Sequence, residues 1–449
     1  MGSCYCVESS VVGCLLCHAG CSTDKLASSL AFHPPSPPSY ALTTAPDGRR
    51  RAVFDPANDE YVRLARDWGA ALGQCEVDEV RTRRGNTVCV LRLRRGSSDD
   101  AYVGRATLIV SHGNALDAAL FVPFASHLAH QLDANVSVYD YSGYGRSSGA
   151  PRVEDCKADI EAVVRHHVER LGCDPARIVL YGQSIGSGPT CHYAALAGRA
   201  SRGSHRESGN NPTSTSVDGE RLDPRKRLNA TPIAAAAYDI GGVVLVSPIM
   251  SGLSVISPQE GGSGGARCTP ACVYKSCDVF KNFQAVGSFE CPALVVHGRL
   301  DDQVPCSHGM GLHALLVGAG GGARERGAGR PGGGGGGNIA HGFGNDGTKT
   351  WKHPEPYWVK NAGHQNVYDA DPPQFMSRMR AFVADVNERA GGGGGSVGAA
   401  LTGTPKTKTD ASPKPPSLGE VRRRDGGAPV AERPRDAPAG FAPQIMTRG

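Results

Sequence analysis

Six short runs of apolar, largely β-branched residues recur between residues 105 and 360, separated by helix-like stretches, and this alternation limits the fold more than any other feature. The first two are Ala106-Thr107-Leu108-Ile109-Val110 and Val136-Ser137-Val138-Tyr139; the others occupy 177–181, 242–246, 293–297 and 356–360. Runs this continuously apolar suit strands covered on both faces. Between them, 153–171 places Ile160, Val163, Val164 and Val168 on one side of a helix, and 185–198 reads as a helix of small residues. The pattern predicts an α/β fold: a mostly parallel central sheet with helices on both faces.

Length alone would admit two or three domains, but 60 Gly and 31 Pro among 449 residues leave much of the chain without regular structure. One core with irregular additions is expected. Residues 1–24 form a cysteine-rich segment, 25–104 the N-terminal part of the domain and 105–389 its core. Three polar or Gly-rich stretches, 199–230, 257–267 and 318–348, read as disordered insertions, and 390–449 as a disordered tail.

The net charge of +5 is small, and the basic residues are scattered, so no nucleic-acid-binding face is expected. No window approaches the roughly 18 to 20 apolar residues of a membrane-spanning helix. The apolar run from Val11 to Cys17 is short, broken by Gly13 and preceded by no Lys or Arg, which makes a poor secretory signal. Fifteen cysteines, an odd number and unevenly placed, do not form a disulfide framework and favour a reducing compartment. Cys268, Cys272 and Cys277 lack the paired spacing of a zinc site, and the Gly-rich runs lack the context of a phosphate loop. No metal and no cofactor are expected.

The pentapeptide G-x-S-x-G occurs at four places, centred on Ser147, Ser184, Ser263 and Ser396. A nucleophile elbow needs a strand before it and a helix after it, with small flanking residues so that the hydroxyl stands above the sheet edge. Ser263 and Ser396 lie in glycine runs, and Ser147 leads into Ala150-Pro151. Ser184 follows Ile178-Val179-Leu180-Tyr181 and opens the helix containing Ala194 and Ala195.

A serine hydroxyl needs a base to take its proton and a carboxylate to orient that base. Asp301 lies just past the run 293–297, in the spacing G-x-x-D-x-x-V-P, and is preferred over its neighbour Asp302. His364 follows the last run in a small-residue loop and is the candidate base. Backbone N–H groups of Ile185 and of Asn114, in His112-Gly113-Asn114-Ala115, are the expected oxyanion donors.

With these residues in place, the chain resembles the family of α/β-hydrolase domain-containing protein 17. The resemblance lies in Ser111-His112-Gly113-Asn114-Ala115, Tyr139-Asp140-Tyr141-Ser142-Gly143-Tyr144-Gly145, Tyr181-Gly182-Gln183-Ser184-Ile185-Gly186, Asp278-x-Phe280-x-Asn282, His297-Gly298-x-x-Asp301 and Gly363-His364. A cysteine cluster followed by Leu30-Ala31-Phe32-His33-Pro34-Pro35 resembles the family's start. The resemblance covers roughly 25–198 and 240–389, and the insertions and tail depart from it. It implies an α/β-hydrolase fold and removal of palmitate from cysteines of other proteins, with Ser184, Asp301 and His364 as the triad. It also implies S-palmitoylation of the cluster Cys4, Cys6, Cys14, Cys17 and Cys21. Two or more acyl chains hold a protein stably to a bilayer where one does not. N-myristoylation at Gly2 meets Cys6 where that signal favours a hydroxyl residue.

These readings lead to the expectation of a monomeric thioesterase, anchored by its own acyl groups to the cytoplasmic face of plasma membrane or endosomes, acting on S-palmitoylated membrane proteins. The acyl pocket is expected beside the 143–149 loop and Phe280. A carboxylesterase or lipase for small esters uses the same triad. A catalytically silent membrane scaffold is the reading from another class.

Overall fold

The computed structural model describes residues 28–29, 31–55, 59–95, 102, 104–208, 237–256, 278–320 and 351–391. Strands β1 (Tyr40–Thr44) and β2 (Arg50–Phe54) pair as an antiparallel hairpin, and helix α1 (Asp59–Gly73) packs against it. There follow β3 (Glu76–Arg81), β4 (Thr87–Leu93), β5 (Thr107–Ser111), α2 (Ala118–Leu132), β6 (Asn135–Tyr139), α3 (Val153–Glu169), β7 (Ile178–Gln183) and α4 (Ser187–Ser208). The chain continues through β8 (Gly242–Val246), α5 (Gly252–Ile256), α6 (Asn282–Ala285), β9 (Ala293–Gly298), α7 (Ser307–Gly320), β10 (Tyr357–Val359) and α8 (Pro372–Gly391).

Eight strands form one sheet in the order β10-β9-β8-β7-β5-β6-β4-β3. The six predicted runs are its six parallel strands, from β6 across to β10. β4 and β3 extend it antiparallel, so the segment 25–104 contributes two strands to the same sheet. The outermost of these, β3, carries charge at four of its six residues, Glu76, Asp78, Glu79 and Arg81, which discourages pairing with another chain. Arg92 of β4, nearly buried, crosses to Glu76 at 2.9 Å and Asp78 at 2.6 Å and fixes that edge.

Side chains alternate across the sheet, and both faces are buried. Ile109, Leu180, Val243, Leu245 and Val295 enter the core that includes Ile160 and Val163 of α3. Leu108, Val110, Val179, Val244 and Val296 enter the opposite core with α2 and α8, through Phe121, Leu128, Phe375 and Phe382. This two-sided burial is why the strands read as continuous apolar runs rather than as a polar–apolar alternation.

Three boundaries move. The first insertion was expected to begin at 199, but α4 continues to Ser208, where Ser201 and Arg202 still reach Asp239 and Glu290. The insertion placed at 318 begins inside α7, which ends at Gly320, and the tail placed at 390 begins inside α8, which ends at Gly391. The rest of these segments, the insertion at 257–267 and the cysteine cluster lie outside the described residues.

Candidate active site

Adjacent parallel strands deliver their following loops to one sheet edge. Ser111 pairs with Gly182, Gln183 with Val246, Val246 with Val296 and Gly298 with Val359, so the residues after β5, β7, β8, β9 and β10 all emerge at the carboxyl end. Ligands bind at this edge in open α/β sheets.

Ser184 sits immediately after β7 with φ +53°, in the left-handed region that a non-glycine residue rarely occupies. A sharp turn from strand to helix imposes this conformation, and the flanking residues permit it. A Cβ on Gly182 would stand 2.7 Å from the Gly186 carbonyl oxygen, and one on Gly186 would run into the carbonyl oxygens of Ser111 and His112. Only glycine lets β7 turn this close to β5.

Ser184, His364 and Asp301 come together across 180 and 63 residues of sequence respectively. His364 Nε2 lies 2.9 Å from Ser184 Oγ, and its Nδ1 lies 2.8 Å from Asp301 Oδ2. Asp301 Oδ1 accepts from the backbone N–H groups of Val304 at 2.8 Å and Gln303 at 3.1 Å, which fixes the carboxylate plane. His297, fully buried, adds a second imidazole 3.2 Å from Asp301 Oδ2 and also meets the Val304 carbonyl at 2.8 Å. Burial opposes ionisation of Asp301, but hydrogen bonds from His297, His364 and the Val304 N–H together hold its carboxyl well below the ordinary range. Asp302, the rival acid, is exposed to solvent.

With Asp301 ionised, His364 carries its proton on Nδ1 and turns a lone pair towards the Ser184 hydroxyl. That arrangement can activate an oxygen nucleophile. Ile185 is the second residue of a helical turn, Ser184–Gly186, whose first N–H groups have no intrahelical acceptor. Asn114 and Gly113 line the same cavity as Ser184 and His364, so the loop after β5 meets Ser184 across it.

The cavity measures about 400 Å³, within the range of roughly 300 to 1,000 Å³ for small-molecule sites. Its apolar wall comes from α2 (Leu120, Phe121, Phe124), β7 (Tyr181), the end of β8 (Val246) and α8 (Phe375), closed by Tyr368 from the loop after His364. Tyr368 is fastened to α2 by a hydrogen bond with His127 Nε2 at 2.7 Å and packs, tilted, against Phe124 with ring centres 5.1 Å apart. The 143–149 loop and Phe280, expected to line part of the pocket, do not line this cavity. Phe280 is buried against Phe32 and Gly188, filling the space on the α4 side, while the opening lies on the α2 side. No periodic signal in the sequence joins residues 120, 246, 368 and 375; only the sheet order does.

Beneath the loop after β5 lies a buried polar cluster. Asp117 caps α2, accepting from Leu120 N at 3.2 Å and from Ser39 N at 2.7 Å. Asp140 accepts from the Tyr40 hydroxyl, from Ala118 N at 2.8 Å and from Arg146 N at 3.2 Å. Burial and the nearness of Asp140 push Asp117 up to about 6, and burial raises Asp140 as well. His112 is fully enclosed, which lowers it to about 4, and it packs on Tyr141 at 4.4 Å. It supports the loop from below and does not face the cavity.

Among the described residues, no group of three or more His, Cys, Asp or Glu is placed to hold a metal ion, and no helix is long and apolar enough to cross a membrane. Cys4, Cys6, Cys14, Cys17 and Cys21 lie outside the described residues.

A family model described as "alpha/beta hydrolase fold" matches residues 106–203, from the start of β5 into α4. The α/β-hydrolase domain-containing protein 17B of Xenopus laevis is 29% identical over 371 residues, covering 83% of this chain and 94% of the relative. The human protein of the same name is 28% identical with the same coverage. The 17C protein of Xenopus tropicalis is 27% identical over 381 residues, covering 82% of this chain and 92% of the relative. A solved esterase of Pyrococcus furiosus aligns with a TM-score of 0.41 at 15% identity, over 71% of this chain and 94% of that one. By its sheet and its matched segment the chain has the α/β-hydrolase fold, and its similarity to the α/β-hydrolase domain-containing 17 proteins along most of its length supports a hydrolase.

Proposed function

We propose that this chain is a serine hydrolase that cleaves thioesters, removing palmitoyl groups from S-acylated cysteines of membrane proteins while itself held at the cytoplasmic face of a membrane. The observation that carries the reading is the hydrogen-bonded series Ser184–His364–Asp301 opening on a cavity walled by Leu120, Phe121, Phe124, Val246 and Phe375. An apolar cavity beside the nucleophile suits a fatty acyl chain, and the family resemblance supplies the thioester.

In the first half-reaction Ser184 Oγ attacks the thioester carbonyl as His364 Nε2 takes its proton. The carbonyl electron pair moves to oxygen, where the N–H groups of Ile185 and Asn114 stabilise it, each worth on the order of 3 kcal/mol. Collapse breaks the C–S bond, and His364 returns the proton to the leaving thiolate. Water, deprotonated by His364, then attacks the acyl-serine and releases the fatty acid. Asp301 orients His364 and compensates its transient positive charge.

The membrane part of the proposal rests on S-acylation of Cys4, Cys6, Cys14, Cys17 and Cys21. Replacing all five by Ser is expected to release the protein into the soluble fraction; unchanged membrane association refutes the anchor. For the activity, turnover of a labelled palmitoyl group on a membrane protein should accelerate with the wild type and not with Ser184→Ala. Equal turnover with the two forms sinks the thioesterase reading. If a fluorophosphonate still labels Ser184, the chain is then an esterase for other acyl groups; if it does not, it is a scaffold.

A further inference from the structure

The Asn114 side chain makes four hydrogen bonds, and three of them tie it to other parts of the chain. Its Oδ1 accepts from the Tyr144 hydroxyl at 2.7 Å, from His33 N at 3.0 Å and from its own neighbour Ala115 N at 3.1 Å. Its Nδ2 donates to the Ala31 carbonyl at 2.8 Å. The Tyr144 hydroxyl, while donating to Asn114, accepts from the same His33 N at 3.0 Å. Between these two main-chain contacts, Phe32 is buried edge-on against Tyr144 at 6.4 Å and Phe280 at 6.0 Å. Residues 31–33 thus cross the loop after β5 as a strap, with His33 at the lip of the cavity.

The loop under the strap is not in a relaxed conformation. Ala115 has φ +56°, a region that a residue with a Cβ enters only when its surroundings hold it there. The Asn114 carboxamide bonds the Ala115 N–H and, through Ala31 and His33, anchors that peptide to a distant segment. The direction of the backbone N–H groups at 114 and 115 therefore depends on contacts made some 80 residues earlier in sequence.

We propose that the Asn114 carboxamide and the Tyr144 hydroxyl are positioning groups for the oxyanion donor, and that the strap 31–33 completes the site by locking them. The inference rests on the serine-hydrolase reading above, though not on the identity of the acyl group. An oxyanion donor acts through geometry fixed before the reaction, so letting the loop relax by a fraction of an ångström weakens the transition state more than the bound substrate.

Three full-length variants test this. Tyr144→Phe removes one hydroxyl, Asn114→Asp replaces the donor facing the Ala31 carbonyl with an acceptor, and Phe32→Ala removes the strap's buried ring. Each is measured for kcat and KM on a p-nitrophenyl ester, per Ser184 site titrated with a fluorophosphonate, and for amide hydrogen exchange across residues 112–120. The expected result is a 10- to 100-fold fall in kcat per titrated site for Asn114→Asp and a smaller fall for the other two. KM should change less than about threefold, with faster exchange across the loop in all three. A purely structural role would lower the number of titratable sites but leave kcat per site unchanged. Unchanged kcat per site together with unchanged loop exchange overturns the proposal. Failure of the thioesterase reading is seen separately, as wild-type protein that hydrolyses the ester but not palmitoyl-protein.

Discussion

Asp301→Asn tests the chemistry of the site with almost no change in shape. In the wild type Oδ1 is committed to two backbone donors, Val304 N and Gln303 N, at 2.8 and 3.1 Å. The asparagine must keep its carbonyl oxygen there, because an amide NH2 facing two N–H groups would leave three donors without an acceptor. The NH2 is then forced into the position of Oδ2, facing His364 Nδ1 at 2.8 Å and His297 Nε2 at 3.2 Å. To accept from it, His364 must move its own proton to Nε2, the nitrogen that faces Ser184 Oγ at 2.9 Å. The base becomes a donor, and the serine keeps its proton.

In a serine triad this tautomer reversal lowers kcat about 10⁴-fold, near 5.5 kcal/mol of barrier at about 1.4 kcal/mol per factor of ten. The assay is kcat for a p-nitrophenyl or thioester substrate, with Ser184→Ala as the floor and a thermal melt to establish that the variant is folded. Asp302→Asn, altering an exposed neighbour, serves as the control and should stay within about twofold of wild type. An Asp301→Asn enzyme within tenfold of wild type would refute the assignment of Asp301 as the group that orients His364. The ionised Asp301 also stabilises the fold. Because its carboxyl is held below the unfolded value of about 3.9, that contribution is present above pH 4 and is lost as the pH falls below it.

The remaining predictions concern stability, the elbow and the cavity. Burial pushes Asp159 up to about 7, against hydrogen bonds from Ser142 N and Oγ, both at 2.7 Å. Its contribution to stability is therefore full below about pH 4 and lost as the pH rises through 7, so the melting temperature of the wild type should fall relative to Asp159→Asn across that interval. An offset between the two that does not vary with pH contradicts this. Gly186→Ala drives a methyl group into the Ser111 and His112 carbonyls and should reduce fluorophosphonate labelling of Ser184 by about 100-fold or more, a 1 Å misplacement alone costing about 10²-fold. Phe124→Ala opens the α2 wall of the cavity and should shift ester preference towards longer acyl chains, read from kcat/KM across a chain-length series; an unchanged series would mean that the acyl group does not lie along α2.

Much of the site was legible because its constraints are local. The turn at Ser184 requires glycine two residues on either side and a strand and a helix flanking it, and four similar pentapeptides could be separated on that basis alone. Asp301 and His364 were found because each follows an apolar run, and all such runs end at one sheet edge. The two antiparallel strands were less visible, since β3 carries charge at four of its six residues, as suits an outer edge. Helix α2 contains Pro123 in its interior, which breaks the usual signature, and α4 runs on through polar residues because Arg202 and Ser201 find partners on neighbouring segments. The cavity wall and the Asn114 contacts were invisible for a different reason. They join residues separated by 30 to about 240 positions, and nothing in the local pattern of either partner announces the other.

The fastening of Ala31 to Asn114 also sets the length of a leash. Ten peptide units separate Cys21 from Ala31, at most about 35 Å of extended chain. A group carried on Cys21 is confined to that radius around the mouth of the cavity, an effective concentration in the millimolar range. A thioester there would meet Ser184 of its own molecule far more often than a thioester arriving from elsewhere. If Cys21 is acylated as proposed, the wild type is expected to carry less acyl group there than Ser184→Ala does, measurable by acyl exchange on the purified proteins, and equal occupancy would show that the leash does not reach. If it does reach, a thioesterase anchored as proposed would shorten its own residence on the membrane, and the rate at which it leaves would be set by the same serine that acts on its substrates.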